Sequence, residues 1–193
     1  MRHHEKPTEW RIDVFRIFAS MKDKGTSISI LLLSDTHGFM DKNILLHAQE
    51  VDEVWHAGDI GNVNVIDELK SIKPIFMVHG NIDDDKVRRE VPAEQYFERA
   101  GLNFFMIHIG GYARRIPTKI REKINSRTTD VLICGHSHIL RAGYDSNSLL
   151  CLNPGAAGHH GFHRTRTMMK FDVFKGEIKN LSVIELGKRG SLI

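Results

Sequence analysis

Ile28-Ser29-Ile30-Leu31-Leu32-Leu33-Ser34-Asp35-Thr36-His37-Gly38 is the stretch on which the fold turns. A short apolar run bounded by turn residues has the pattern of a buried strand. At its end stand a carboxylate and an imidazole two residues apart, able to bend toward one metal ion once the chain leaves the sheet. Asp-x-His alone is a common pattern, and a turn whose Asp caps the next helix explains it as well. The rest of the chain has to decide between the two.

Outward from this stretch, strand and helix signals alternate. Ile44, Leu45, Ala48 and Val51 repeat at helical spacing, and 53–57 reads as a strand. Val65, Ile66, Leu69 and Ile72 then give a helix, and 74–78 a third strand. This alternation predicts an α/β fold with a largely parallel sheet. The second half changes character. Segments 95–98 and 102–109 flank Ala100-Gly101 as a hairpin does, and Ile116, Ile120 and Ile124 share one helical face around 117–125. Segments 131–134, 149–152, 168–174 and 178–185 read as strands, with turns at 145–147 and Lys175-Gly176, which predicts a second sheet packed on the first.

Composition bounds the rest. A chain of 193 residues with 41% hydrophobic and 26% charged residues can bury a full core, so one domain over 27–193 is the expectation. No apolar run approaches the roughly 20 residues of a membrane span. Arg11, Asp13 and Arg16 interrupt the apolar stretch near the start, so no signal-peptide core is expected and the protein is placed in the cytoplasm. Cys134 and Cys151, in apolar runs without zinc-ribbon spacing, read as small buried residues. A net charge of +3 suits an anionic substrate and makes nucleic acid an unlikely partner. Residues 1–26 read as an appendage. Trp10, Val14, Ile17, Phe18 and Met21 recur at helical spacing, as in an amphipathic helix lying on the domain or on a second subunit of a homo-oligomer.

The chemistry sits where the strands end. Gly58-Asp59 follows the second strand, Gly80-Asn81 the third, His108 closes the hairpin, and Gly135-His136-Ser137-His138 follows the next strand. Ligands of open α/β sheets bind outside the carboxyl ends of strands, so these residues can converge although they are scattered in sequence. Singly, each has a bland reading: turn dipeptides, or a hydrogen-bonded core histidine. Together, in this order, they point to a metal site. Carboxylate, amide oxygen and imidazole without thiolate suit borderline first-row ions, manganese first, with nickel, iron, cobalt or zinc as alternatives.

The ordered set Asp35-x-His37, Gly58-Asp59, Gly80-Asn81-x-Asp83, His108 and Gly135-His136-x-His138 resembles the calcineurin-like metallophosphoesterase superfamily, in particular its compact single-domain phosphodiesterase branch of bacteria and archaea. The resemblance implies a four-layer α/β/β/α sandwich with two metal ions at the strand ends. It implies a first metal on Asp35, His37, Asp59 and His138, and a second on Asp59, Asn81, His108 and His136, with Asp59 bridging. The implied activity is hydrolysis of a small phosphate-ester substrate, foremost a phosphodiester, by a metal-bridging hydroxide. Two other readings come from relatives of this fold: a non-enzymatic protein-interaction scaffold, as in the retromer subunit, and a nuclease.

One position departs from the wider superfamily. Many members carry a histidine after the Gly-Asn pair, where it assists the leaving group, and here that position is Ile82. Weak turnover of alkyl monoesters is therefore expected. Asp83 reads equally as a helix-capping carboxylate and as support for a ligand. The segment 158–166, with Arg164 and Arg166 as candidate phosphate clamps, is implied by the resemblance to lie beside the metals. Either arginine serves equally well as a salt-bridge partner or subunit contact. Arg114, Arg115, Lys119, Arg121 and Lys123 read chiefly as a solvated helix face, and His56 and His79 as supporting or core histidines.

Overall fold

The computed structural model describes residues 27–111 and 115–190. The helix expected within 1–26, and Arg114, lie outside the described residues. The elements run β1 (Ile28–Leu33), α1 (Lys42–Gln49), β2 (Glu53–His56), α2 (Val63–Ile72), β3 (Ile75–Met77), α3 (Asp85–Glu90), β4 (Glu94–Arg99) and β5 (Leu102–Ile107). They continue with α4 (Thr118–Asn125), β6 (Val131–Ile133), β7 (Leu140–Tyr144), β8 (Leu150–Pro154), β9 (Thr165–Phe174) and β10 (Glu177–Lys188). One sheet has the order β10-β9-β1-β2-β3 and the other β4-β5-β6-β8-β7. In the first sheet β1, β2 and β3 pair in parallel, while β9 pairs antiparallel with both β1 and β10; in the second, β5, β6 and β8 pair in parallel and the edge strands β4 and β7 are antiparallel to their neighbours.

The period of two along β1 explains the layering. Leu31 and Leu33 pack outward on Ile44, Ala48, Val65, Ile66 and Leu69 of α1 and α2. Ile30 and Leu32 point inward, onto Phe104, Met106, Ile133 and Leu152 of the second sheet. Apolar residues on both faces make the run continuous rather than alternating, as befits a strand covered on both sides. On the far side of the second sheet, Phe105, Leu132, Leu149 and Cys151 pack on Ile120 and Ile124 of α4. The layers are therefore α/β/β/α. Trp55 anchors the middle, with ring centroids 4.9 Å from Phe97 and 4.8 Å from Phe104 and its indole N–H bonded to Glu53. A buried aromatic of this kind contributes on the order of 3–5 kcal/mol.

Two of the three predicted turns are two-residue links between neighbouring antiparallel strands. Ala100-Gly101 and Lys175-Gly176 have positive φ at both central residues, the type I′ geometry that matches strand twist. The first two helices begin at polar caps, the Asp41 carboxylate accepting from Asn43 and Ile44 and the Asn62 side chain from Val65, whereas α4 starts at Pro117 with no side-chain cap. Two elements extend the expected set. The helix α3 buries only Val87, and the edge strand β7 buries none of its five residues. Both free cysteines are buried, as expected. No helix among the described residues is long and apolar enough to cross a membrane.

Candidate metal centre

The loops leaving β1, β2, β3, β5 and β6 meet at one end of the sandwich, and backbone bonds stitch them together. The Asp35 N–H donates to the Gly58 carbonyl at 2.9 Å and His37 N–H to Asp59 at 3.0 Å. Within the second sheet, Gly135 N–H reaches His108 O at 3.0 Å, and across the sheets the His136 N–H donates to the Asp35 carboxylate at 3.1 Å. Two clusters of side chains result. In one, ligand atoms of Asp35, His37 and His138 lie within 4.8 Å of one another; in the other, those of Asp59, His108 and His136 do. Each cluster combines residues that follow strands of both sheets. The Asp59 carboxylate stands between them, with Oδ1 3.2 Å from His108 Nε2 and Oδ2 3.8 Å from His37 Nε2.

Asn81 occupies the turn between β3 and α3. That turn is tied to Asp59, because the Ile82 N–H donates to Asp59 Oδ1 at 3.1 Å. Gly80 is required here: a Cβ at this position would lie 2.0 Å from Asp59 Oδ1. Arg88 holds the same turn from outside, with its guanidinium donating to the carbonyls of Asp83, Gly80 and Asn81.

The backbone is strained at the ligand positions themselves. Asp35, His37, Asp59, His136 and His138 all have φ between 48° and 65°, a region that non-glycine residues seldom enter. Such conformations cost about 1–3 kcal/mol each and persist where the surroundings impose them, which points to function at this end of the molecule.

The donor atoms lack partners. Asp35 Oδ1, His37 Nε2 and His108 Nε2 are buried without a hydrogen bond. His108 Nδ1 lies 2.7 Å from the Ala57 carbonyl, so this nitrogen carries the hydrogen and Nε2 turns a lone pair toward Asp59. His138 Nε2 likewise sits 3.1 Å from Asp35 Oδ1. A ring nitrogen facing a carboxylate oxygen at this distance needs a proton or a metal ion between them, and a set of buried carboxylate and imidazole atoms without partners fits divalent ions. Electrostatics agree in direction. Burial pushes the Asp59 carboxyl up, but His108, the Ile82 N–H and His37 outweigh it and hold the group below the ordinary carboxylate value. Burial lowers His37 despite Asp59 and Asp35. For His108 burial is opposed by Asp59 and Asp35, which leave the imidazole above its usual value.

Behind the clusters lies a fully bonded polar layer. The Asp83 carboxylate is buried and accepts from the N–H groups of Gly80 (2.7 Å), Gly61 (2.7 Å) and Ile60 (3.2 Å). Asp84, one residue later, is the cap of α3. His56 accepts from the Gly58 N–H at Nδ1, and its Nε2 lies 2.9 Å from the Thr36 hydroxyl, which donates to Ile60 O. Complete burial lowers this imidazole to about 4 and keeps it neutral.

The two candidate arginine clamps part ways. Arg166 is buried, donates to the Ala157 carbonyl and pairs with Asp41 at 2.7 Å, so the salt-bridge alternative describes its contacts. Arg164 is exposed. In the basic segment, Arg121 pairs with Asp145 and Lys123 with Glu94, while Lys119 faces solvent. What the sequence left without roles is the histidine pair His160 and His163. Their rings pack on His37 and His138 at 4.7 and 5.2 Å between centroids. The signal was the glycine-bounded run Gly158-His159-His160-Gly161-Phe162-His163, whose glycines allow close approach. At Gly161, with φ +114°, a Cβ would meet His138 Nδ1 at 2.1 Å.

A four-layer sandwich with carboxylates and imidazoles clustered at its strand ends defines a metal-dependent phosphoesterase fold. The profile of the calcineurin-like phosphoesterase superfamily domain matches residues 28–176, and the chain belongs to this family. A probable metallophosphoesterase of Mycoplasma pneumoniae is 34% identical over 135 residues, covering 66% of this chain and 77% of that protein. A probable metallophosphoesterase of Methanocaldococcus jannaschii is 29% identical over 138 residues, with 68% and 69% covered. Among solved structures, an archaeal phosphodiesterase superposes with a TM-score of 0.64 at 24% identity, covering 82% of this chain and all of that one (100%). A Vps29 mutant from Entamoeba histolytica gives 0.65 at 15% identity, with 83% and 100% covered. Membership implies divalent metal ions and hydrolysis of phosphate esters.

Proposed function

We propose that the protein is a phosphodiesterase with a dinuclear centre. The observation that carries this reading is the pair of clusters in which Asp35 Oδ1, His37 Nε2 and His108 Nε2 are buried without partners, with Asp59 between them, Oδ1 toward His108 and Oδ2 toward His37. Asp35, His37, Asp59 and His138 would hold one ion, and Asp59, Asn81, His108 and His136 the other. Bound divalent ions supply Lewis acidity, which lowers the pKa of coordinated water and draws charge from phosphoryl oxygens.

The chain's own residues do the rest. The Ala57 carbonyl fixes His108 in the tautomer that presents Nε2, and the Ile82 N–H orients Asp59. Ile82 offers the leaving group no proton. General acid help is worth about 10²–10⁴-fold, so diesters with stable leaving anions are favoured over alkyl monoesters. Manganese is the leading ion, with nickel, iron, cobalt and zinc as alternatives.

The test pairs elemental analysis of the purified protein with hydrolysis of an aryl phosphodiester, an alkyl phosphomonoester and single-stranded DNA with Mn²⁺ added. The expected result is up to two metals per chain and turnover led by the aryl diester. In Asp59→Asn, both metal content and turnover should fall. Full retention of both in that variant refutes the shared carboxylate. A protein that takes up no metal and cleaves none of the three substrates is a scaffold, and preferred cleavage of DNA makes it a nuclease.

A further inference from the structure

The sandwich opens at the end opposite the candidate centre. Leu102, Val131 and Leu150 stand at the starts of β5, β6 and β8, and with Tyr144 of β7 and Ile178 and Leu181 of β10 they line a groove of about 920 Å³. Leu102, Leu150 and Ile178 are the partly buried border of the core between the sheets, so the groove is where that core reaches the surface. Leu181 and Tyr144 are 38% and 69% exposed. The charged groups along the groove are engaged elsewhere. Arg121 pairs with Asp145, Asp130 accepts from Asn103, Glu177 pairs with Lys179, and Arg127 lies over the Tyr96 ring at 4.3 Å. What the groove offers an occupant is apolar surface rather than unpaired charge.

The described chain enters the fold beside this groove. Ile28, the first residue of β1, is opposite Val173, and Val173 is opposite Ile178. Two strand spacings, about 10 Å, therefore separate Ile28 from Ile178. Earlier in the sequence, Trp10, Val14, Ile17, Phe18 and Met21 recur at the spacing of one helical face, and residues 22–26, Lys-Asp-Lys-Gly-Thr, make a polar link. Five residues span up to about 17 Å, enough to bring Met21 to the groove.

We propose that residues 10–21 form a helix that docks in this groove of their own chain, with the apolar stripe against Ile178, Leu181 and Tyr144. A stripe at i, i+4, i+7 and i+8 is what an apolar groove accepts. The link decides in favour of the chain's own segment over a second copy. It holds the stripe at an effective concentration on the order of millimolar, about a thousandfold above that of a micromolar protein in solution. The groove borders the starts of strands whose far ends carry the candidate ligands, so the inference is independent of the phosphoesterase reading.

Tryptophan fluorescence of the full chain tests this. Trp10 and Trp55 are its two tryptophans, and Trp55 is fully buried, so the difference between wild type and Trp10→Phe isolates Trp10. Trp10 should emit to the blue of free tryptophan and resist acrylamide, and both properties should survive dilution. Leu181→Asp, at an exposed position, should return Trp10 to the emission and quenching of the free amino acid while Trp55 keeps its own. Phe18→Asp, outside the described fold, gives a second readout. Amides of 142–150 and 177–181 should exchange about tenfold faster in it than in wild type, while those of 35–38 and 135–138 keep their rates. A wild-type Trp10 quenched as freely as the amino acid, protection that survives Leu181→Asp, or groove amides that exchange alike in wild type and Phe18→Asp overturns the proposal. Protection that disappears on dilution places the segment on a second copy and overturns it too.

Discussion

Asp83→Ala should be the most destabilising single change behind the centre that leaves every candidate ligand in place. The wild-type carboxylate is 3% exposed and satisfies three backbone donors: Gly80 from the turn after β3, and Ile60 and Gly61 from the loop after β2. Truncation leaves these N–H groups without their acceptor in a place water reaches poorly. An unsatisfied buried donor costs about 1–3 kcal/mol, and partial access of water to the new space recovers some of that, so a total of about 3–5 kcal/mol is expected. Asp83→Asn keeps one oxygen but sets an amide N–H₂ against a donor, and should cost about half as much. Urea unfolding of the metal-free protein measures the first effect. Because the same carboxylate holds the Asp59 turn against the Gly80 turn, metal affinity should also fall by about 10–100-fold, read by competition with a chelator. A loss of stability below about 1 kcal/mol in Asp83→Ala would refute the reasoning.

The pH dependence of stability has a definite sign. His56 has a folded pKa of about 4, below the ordinary 6.5, because it is wholly buried. The unfolded chain therefore takes up a proton between these values while the folded one does not. This contribution is fully present above about 6.5 and is lost as pH falls toward 4, on the order of 3 kcal/mol in all. Unfolding of metal-free protein at pH 7.5 and pH 5 should show the loss, and the loss should be smaller in His56→Gln; equal losses in the two proteins contradict the assignment. Gly161→Ala should lower metal uptake at the Asp35, His37 and His138 cluster, since its Cβ would meet His138 Nδ1 at 2.1 Å and φ is +114°. Unchanged metal content and activity in that variant would show that the loop yields at no cost.

The sequence made the centre more legible than its surroundings, for physical reasons. Apolar runs such as Ile28–Leu33 and Val131–Ile133 announce buried strands, and chemistry-bearing residues directly after them must sit at strand ends. Positions defined by long-range bonding were not legible. Asp83 and Asp84 are adjacent carboxylates in one acidic run, and only the fold sends one inward to three backbone donors and the other onto α3. The strand β7, Leu-Arg-Ala-Gly-Tyr, lies at an edge, and its pairing with β8 supplies what its composition does not. The helix α3 has one buried residue, Val87, and no repeat to detect. Arg166 looked as able to hold phosphate as Arg164 until Asp41, 125 residues earlier, was found against it.

Both clusters take ligands from each of the two sheets: Asp35 and His37 with His138, and Asp59 with His108 and His136. Ions held there would therefore cross-link the two sheets. Whatever affinity they have for the folded protein adds to the cohesion of the sandwich at its loop end, growing with the logarithm of free ion concentration. Resistance to heat and protease should then track metal supply, and a chelator should part the two sheets first at the end where the chemistry resides.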